Sequence, residues 1–249
     1  MPLLLIFSGY CDMAIGLGRM MHLELPLNFD SPYKACTITE FWDRWHKTLT
    51  RFFTRYLYIP LGGNRKGRGC TYLNVLLVFL ASGFWHGANW TFVLWGCLHG
   101  AASVLTRHFK KPISRLPRVL TWLVTFLFLN LSWVFFRANS IQEGLWMIAK
   151  VFTGGFGPIN TAITDVFNIV EVTTVSEWIL NIHIKAMYPN VMTLLIYGGT
   201  LLAVIFAPNA YEVTKKMRFT VWEMLITAVL LVWCIISLEG VSTFLYFNF

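Results

Sequence analysis

Charge is scarce in this sequence: Asp, Glu, Lys and Arg make up 13% of its 249 residues, while hydrophobic residues make up 56%. Soluble domains are roughly 45–50% apolar, and the mean hydropathy here is +0.59. That excludes an ordinary soluble domain, and several segments approach the ~20 apolar residues that cross a bilayer. Cysteine is also sparse. Cys11, Cys36, Cys70, Cys97 and Cys234 show no paired spacing, which argues against a disulfide framework and a zinc site. There is no Gly-x-Ser-x-Gly elbow, no HExxH and no paired-cysteine motif, so neither a serine hydrolase nor a metal enzyme is supported. Acids are the rarer charge, 12 against 20 bases for a net charge of +8. In a membrane chain this surplus marks basic cytoplasmic loops rather than a nucleic-acid surface. The expected partner is the lipid bilayer, with no nucleic acid. Repeats and low-complexity linkers are absent too, so one membrane domain over residues 1–249 suffices.

What is present is a set of apolar helices. Residues 1–21 form one stretch interrupted by Asp12. Lacking a basic n-region and a clean cleavage site, it reads as the tail of a transmembrane helix rather than a signal peptide. Asp12 has two readings: a hydrogen bond to a nearby Tyr or Ser, or a carboxylate that orients a reacting group. Asn28-Phe29-Asp30-Ser31-Pro32-Tyr33 reads as a structured loop. A capping-box pattern at Thr37-Ile38-Thr39-Glu40 predicts one helix over residues 39–58. Phe41, Trp42, Trp45, Leu49, Phe52, Phe53 and Tyr56 take one face of it, and Arg44, Lys47, Arg51 and Arg55 the other. A basic, aromatic, amphipathic helix fits the membrane interface. Further spans are expected at 119–136, 191–207 and 221–238, with a helix at 141–151. The loop around Arg65, rich in glycine and base, is a positive-inside loop or a contact for an anionic thioester donor.

Phe84-Trp85-His86-Gly87-Ala88-Asn89-Trp90 lies between two apolar segments. An ionisable group in such a place is a functional-site hypothesis. Arg65, Lys66 and Arg68 precede it, and Arg107, Lys110, Lys111, Arg115 and Arg118 follow. Both clusters belong in the cytoplasm, so the segments between them predict a hairpin. The first, residues 72–83, is about 12 residues, or ~18 Å of helix. This is short of the ~30 Å hydrocarbon core, so the apex is expected within the membrane unless that helix starts earlier. Gly83 and Gly87 are expected to let the chain turn. A neutral imidazole in an apolar place can take a proton from a hydroxyl. His99, between Gly96 and Gly100, is either a buried hydrogen-bonded histidine or part of the site. The fold class that results is all-α: a polytopic transmembrane protein with an interfacial helix and an intramembrane helical hairpin.

These stretches resemble the membrane-bound O-acyltransferase (MBOAT) family, most of all the alginate O-acetyltransferase membrane subunit and its bacterial relatives. The likeness runs from Phe7-Ser8-Gly9-Tyr10-Cys11-Asp12 through Asn28-Phe29, Thr39-Glu40-Phe41-Trp42-Asp43-Arg44-Trp45-His46 and Tyr58-Ile59-Pro60-Leu61-Gly62-Gly63-Asn64-Arg65. It continues with Gly83-Phe84-Trp85-His86-Gly87, His99-Gly100 and Trp133-Val134-Phe135-Phe136-Arg137-Ala138. The resemblance implies His86 as the catalytic histidine and His46 as a second catalytic position. Asp12, Trp85, Asn89, His99 and Arg65 are the expected substrate contacts. It also implies transfer of an acyl group, acetyl first, from a cytoplasmic thioester such as acetyl-CoA toward an extracytoplasmic polysaccharide. No cofactor is expected to be tightly bound. A separate extracytoplasmic acetyltransferase is the expected partner, and the bacterial cytoplasmic membrane the location. Family members are usually longer, so the chain resembles a C-terminal half that lacks an N-terminal half. The alternatives are D-alanyl transfer to teichoic acid, a transporter, or a non-catalytic scaffold.

Overall fold

The computed structural model describes residues 2–154, 189–218 and 220–236. All regular structure among these residues is helical. The chain divides into two compact units, Met1–Gly144 with Pro208–Phe249, and Leu145–Ala207. The first unit carries α1 (Pro2–Met20), α2 (Ile38–Arg44), α3 (Lys47–Phe53), α4 (Gly67–His86), α5 (Trp90–His108), the short α6 (Lys110–Ile113) and α7 (Arg118–Arg137). Helix α8 (Ile141–Thr153) begins in it, and α9 (Pro189–Phe206) belongs to the second unit. The first unit resumes with α10 (Ala210–Lys216) and α11 (Val221–Ile236). Helices α4 and α7 are long and apolar enough to cross a membrane. Residues 155–188 and 237–249, with the end of the expected span at 221–238, lie outside the described residues.

The expected helix over 39–58 is broken in two. Thr37 caps α2 as its sequence predicts, accepting from Glu40 N at 3.1 Å. The Glu40 carboxylate accepts from Cys36 N at 2.8 Å and pairs with Arg44 at 2.7 Å. After Trp45 the chain passes through His46 in the left-handed region, φ 45° and ψ 52°, before α3 begins. A bulky non-glycine residue there costs of order 1–3 kcal/mol, and the loop at 28–30 holds it. Asp30 N donates to Arg44 O at 3.0 Å and Lys47 N to Asn28 O at 3.0 Å, one bond on each side of the break. Asn28 Oδ1 accepts from Thr48 N and Thr48 Oγ1 at 3.1 and 2.9 Å. Phe29, itself buried, packs on Trp45 and His46 at ring-centroid distances of 5.0 and 5.8 Å. Helix α3 then passes into a π turn over Thr54–Tyr58.

Helix α4 starts at Gly67, not near residue 72, and ends at His86. Its 20 residues span about 30 Å, so a short first helix cannot be what keeps the apex inside a bilayer. That expectation fails because Gly67 and Gly69, loop-like in sequence, open the helix. Gly83 does not turn the chain either. It lies in α4 against α5, and a Cβ there would fall 2.5 Å from Phe92 O. Gly96 answers it from α5, where a Cβ would fall 2.5 Å from Phe79 O. The two backbones touch at this point. The turn itself is made at 87–89, where a Cβ on Gly87 would lie 2.7 Å from the Phe92 ring.

Candidate active site

His86 ends α4 in an aromatic surround. Its ring lies 5.3 Å from Trp95, 4.9 Å from Phe136 and 4.9 Å from Trp85, centroid to centroid. Among the described residues neither ring nitrogen of His86 has a hydrogen-bond partner. His46 comes to the same cluster from the break between α2 and α3. Intervening rings connect it to His86. Aromatic contacts join them through Phe29, Trp45, Trp133 and Phe136. His46 Nδ1 is buried without a partner. Burial disfavours the imidazolium and holds His46 below its ordinary value of 6.5. The fully buried Trp95 Nε1 and Thr91 Oγ1, one turn apart on α5, also have no partner among the described residues.

The expected substrate contacts divide. Trp85 is half-exposed beside His86, at 54%. Asn89 stands at the turn with its amide engaged: Oδ1 caps α5 by accepting from Thr91 N at 3.1 Å, and Nδ2 donates to Asn139 O at 3.0 Å. Asp12 accepts from Ser8 Oγ at 3.4 Å, the simpler of its two readings. Arg65 is exposed in the turn before α4. His99 stands apart from these in its surroundings. It is fully buried, and both its ring nitrogens are taken, Nδ1 by Trp42 Nε1 at 3.2 Å and Nε2 by Ser132 Oγ at 2.9 Å.

A cavity of about 310 Å³ lies between α2–α3 and the α4–α5 pair. Exposed Asn64, Asp43 and Arg107 stand among its lining residues. Farther along, Val75, Phe79 and Ser82 of α4 form one wall, and Trp42 and Thr50 another. Ser82 is one helical turn, about 5.4 Å of rise, from His86. Ser103, buried and with its hydroxyl unpartnered, also lines the cavity. A shallower recess shares Trp42, Asp43 and Thr50 and adds Lys47, Arg51 and Arg55. Sequence reasoning missed Trp42, Trp95, Ser103 and Ser132. A serine or an indole inside an apolar helix was the available signal, since such groups need a partner, but nothing local says which.

A model of the MBOAT, membrane-bound O-acyltransferase, family matches residues 1–144. A peptidoglycan O-acetyltransferase of Helicobacter pylori is 53% identical over 155 residues, covering 61% of this chain and 29% of the relative. The "Probable alginate O-acetylase AlgI" of Pseudomonas aeruginosa is 45% identical over 152 residues, covering 60% and 29%. A teichoic acid D-alanyltransferase of Streptococcus thermophilus is 34% identical over 107 residues, covering 40% and 26%. The chain spans under a third of the length of these curated relatives.

Proposed function

Because the chain belongs to the membrane-bound O-acyltransferase family, with its matched region holding both His46 and His86, we propose that it carries the reacting histidines of a membrane O-acyltransferase. The acyl group, acetyl first, passes from a cytoplasmic thioester to an acceptor hydroxyl on the way toward an extracytoplasmic cell-surface polysaccharide. The observation that carries this reading is the cavity that runs from Arg107 and Asn64 to Ser82, one turn short of His86. Arg107 at its outer end, with Lys47, Arg51 and Arg55 of the neighbouring recess, suits the anionic parts of a donor such as acetyl-CoA, and the unpartnered Ser103 hydroxyl suits an amide along a donor arm. The exposed Trp85 side leaves His86 open to an acceptor.

In the reaction, a nitrogen of His86 takes the hydroxyl proton as the acceptor oxygen attacks the thioester carbonyl carbon. The tetrahedral intermediate collapses with cleavage of the C–S bond. The imidazolium returns the proton to the leaving sulfur, giving an ester and a free thiol. Such a base contributes about 10²–10⁴-fold. The unpaired donors Trp95 Nε1 and Thr91 Oγ1 are suited to the developing oxyanion. His46 stays neutral beside His86, which leaves His86 free of a neighbouring positive charge.

The basic residues flanking α4 and α5 support a cytoplasmic location for that end of the pair. On this reading the chain is multi-pass in the bacterial cytoplasmic membrane, with α2–α3 at its inner surface and α7 running outward. A partner transferase outside the membrane would receive the acyl group. D-alanyl transfer is the second reading, supported by the teichoic-acid relative at lower identity. The test is ester-linked acetate on the cell-surface glycan, with His86→Ala compared to the native protein in its full genetic context at matched membrane abundance. Loss of acetate is expected. Unchanged acetate would overturn His86 as the base.

A further inference from the structure

His99 is fully buried and closed to a ligand from solvent. Its hydrogen bonds fix its chemical form. An indole N–H only donates, so the 3.2 Å contact from Trp42 Nε1 makes Nδ1 of His99 an acceptor. A neutral imidazole that accepts at Nδ1 carries its proton on Nε2, which therefore donates to Ser132 Oγ at 2.9 Å. Ser132 in turn donates to Leu129 O at 2.9 Å. One directed chain, Trp42 to His99 to Ser132 to a carbonyl, crosses α2, α5 and α7 with no donor or acceptor left to choose. The groups at its head border the candidate site. Trp42 lines the cavity. Trp95 lies between the histidines, 4.7 Å from His99 and 5.3 Å from His86 by ring centroids, and Trp42 packs on Trp95 at 5.8 Å.

We propose that His99 is a positioning residue for the acyl transfer. As a neutral Nε2–H imidazole it pins the Trp42 indole at the inner wall of the cavity and backs Trp95 against His86. The role rests on the reading of His86 as the base. A shift of about 1 Å in a wall that aligns reacting groups is enough to cost about 10²-fold in rate, and a leucine at 99 would take away the acceptor of the Trp42 N–H.

The bond chain and the role are tested separately, both in the full-length membrane protein. Selective ¹⁵N-histidine labelling, with the His99 signals identified by their loss in His99→Gln, should report the neutral Nε2–H tautomer at neutral pH. An Nδ1–H tautomer or an imidazolium would overturn the proposal. For the role, His99→Leu should lower acyl-transfer turnover by about 10- to 100-fold at matched membrane abundance. His99→Gln, whose amide can accept from Trp42 and donate to Ser132, should recover most of that loss. Trp42→Phe, which keeps a ring and removes the N–H, should resemble His99→Leu, and the double variant should be no worse than either. A native-like His99→Leu, or a double variant whose loss is the product of the two, would overturn the role while His86→Ala remains inactive. If His99→Leu fails to accumulate, the comparison of Trp42→Phe with His99→Gln decides: loss in the first with recovery in the second supports the role, and equal loss in both overturns it. Retained transfer by His86→Ala would instead overturn the reading of the base, and this role with it.

Discussion

His86 and His99 stand on the two helices of one tightly packed pair, with Trp95 between them, and they differ in what their nitrogens touch. His99 has a partner for each, from α2 and from α7. His86 has neither among the described residues, and His46 arrives beside it with a buried, unpartnered Nδ1. Both kinds of histidine sit among aromatic rings in apolar sequence. Composition and local pattern do not separate a structural imidazole from one able to move a proton. The hydrogen-bond partners do, because a buried imidazole bonded to protein groups at both nitrogens has none left to meet a substrate.

The contrast can be broken most directly at His86. His86→Ala should lower acyl transfer by about 10²–10⁴-fold without changing membrane abundance, as read by ester-linked acetate and quantitative blotting. A larger structural loss is expected where the pair closes. Gly96→Leu would drive a side chain into the Phe79 carbonyl, at a cost of about 1–3 kcal/mol or more, and should abolish accumulation of folded protein. The reactive side is sharpened by its support. Asn28→Ala removes the side-chain acceptor for Thr48 N and Thr48 Oγ1 and should cost about 1–3 kcal/mol, measured as a lowered thermal midpoint, while loosening His46 and slowing transfer. The smallest effect is expected farther away, at Thr37→Ala, where loss of the α2 cap costs about 1 kcal/mol in the same melt and leaves transfer at native rate.

Acid separates the groups as well. Burial depresses His46 below its ordinary value of 6.5, so in the window between the folded and unfolded values the unfolded chain binds more protons. The contribution of neutral His46 is then fully present above 6.5 and is lost as pH falls toward and through its depressed value. Thermal midpoints measured downward from pH 7 should therefore fall in the native protein. They should fall less steeply in His46→Asn, which tolerates the left-handed backbone and does not titrate there. Equal slopes would remove His46 from this account.

Much of the helix pattern was legible because it is local. The span at 118–137, the Thr37 cap and the helix from 141 follow from apolar runs and cap chemistry. The break at His46 was not, because the aromatic period runs straight through it. The bonds that impose it come from Asn28 and Asp30, in a loop a full segment earlier. Packing of Phe41 and Trp45, buried at 0% and 6%, is likewise set by neighbours, while Phe52 and Tyr56 on the same stripe are exposed at 53% and 61%. The start of α4 was placed late because Gly67 and Gly69 look like loop, whereas in the fold they open the helix. His46 and His86 are visible in the sequence as residues but not as a pair, and the partners of His99 lie 57 and 33 positions away, beyond the reach of any periodicity.

Gly83 and Gly96 also decide where this part of the molecule can yield. Two helices in backbone contact cannot slide or roll on each other without pushing a carbonyl into a neighbouring chain, so α4 and α5 respond to mechanical load as a single stiff beam. The opposite wall of the cavity is built differently: two short helices jointed at one residue, followed by a wide π turn. Any widening of the cavity would have to come from that jointed wall, whose joint at His46 is clamped by the loop at 28–30.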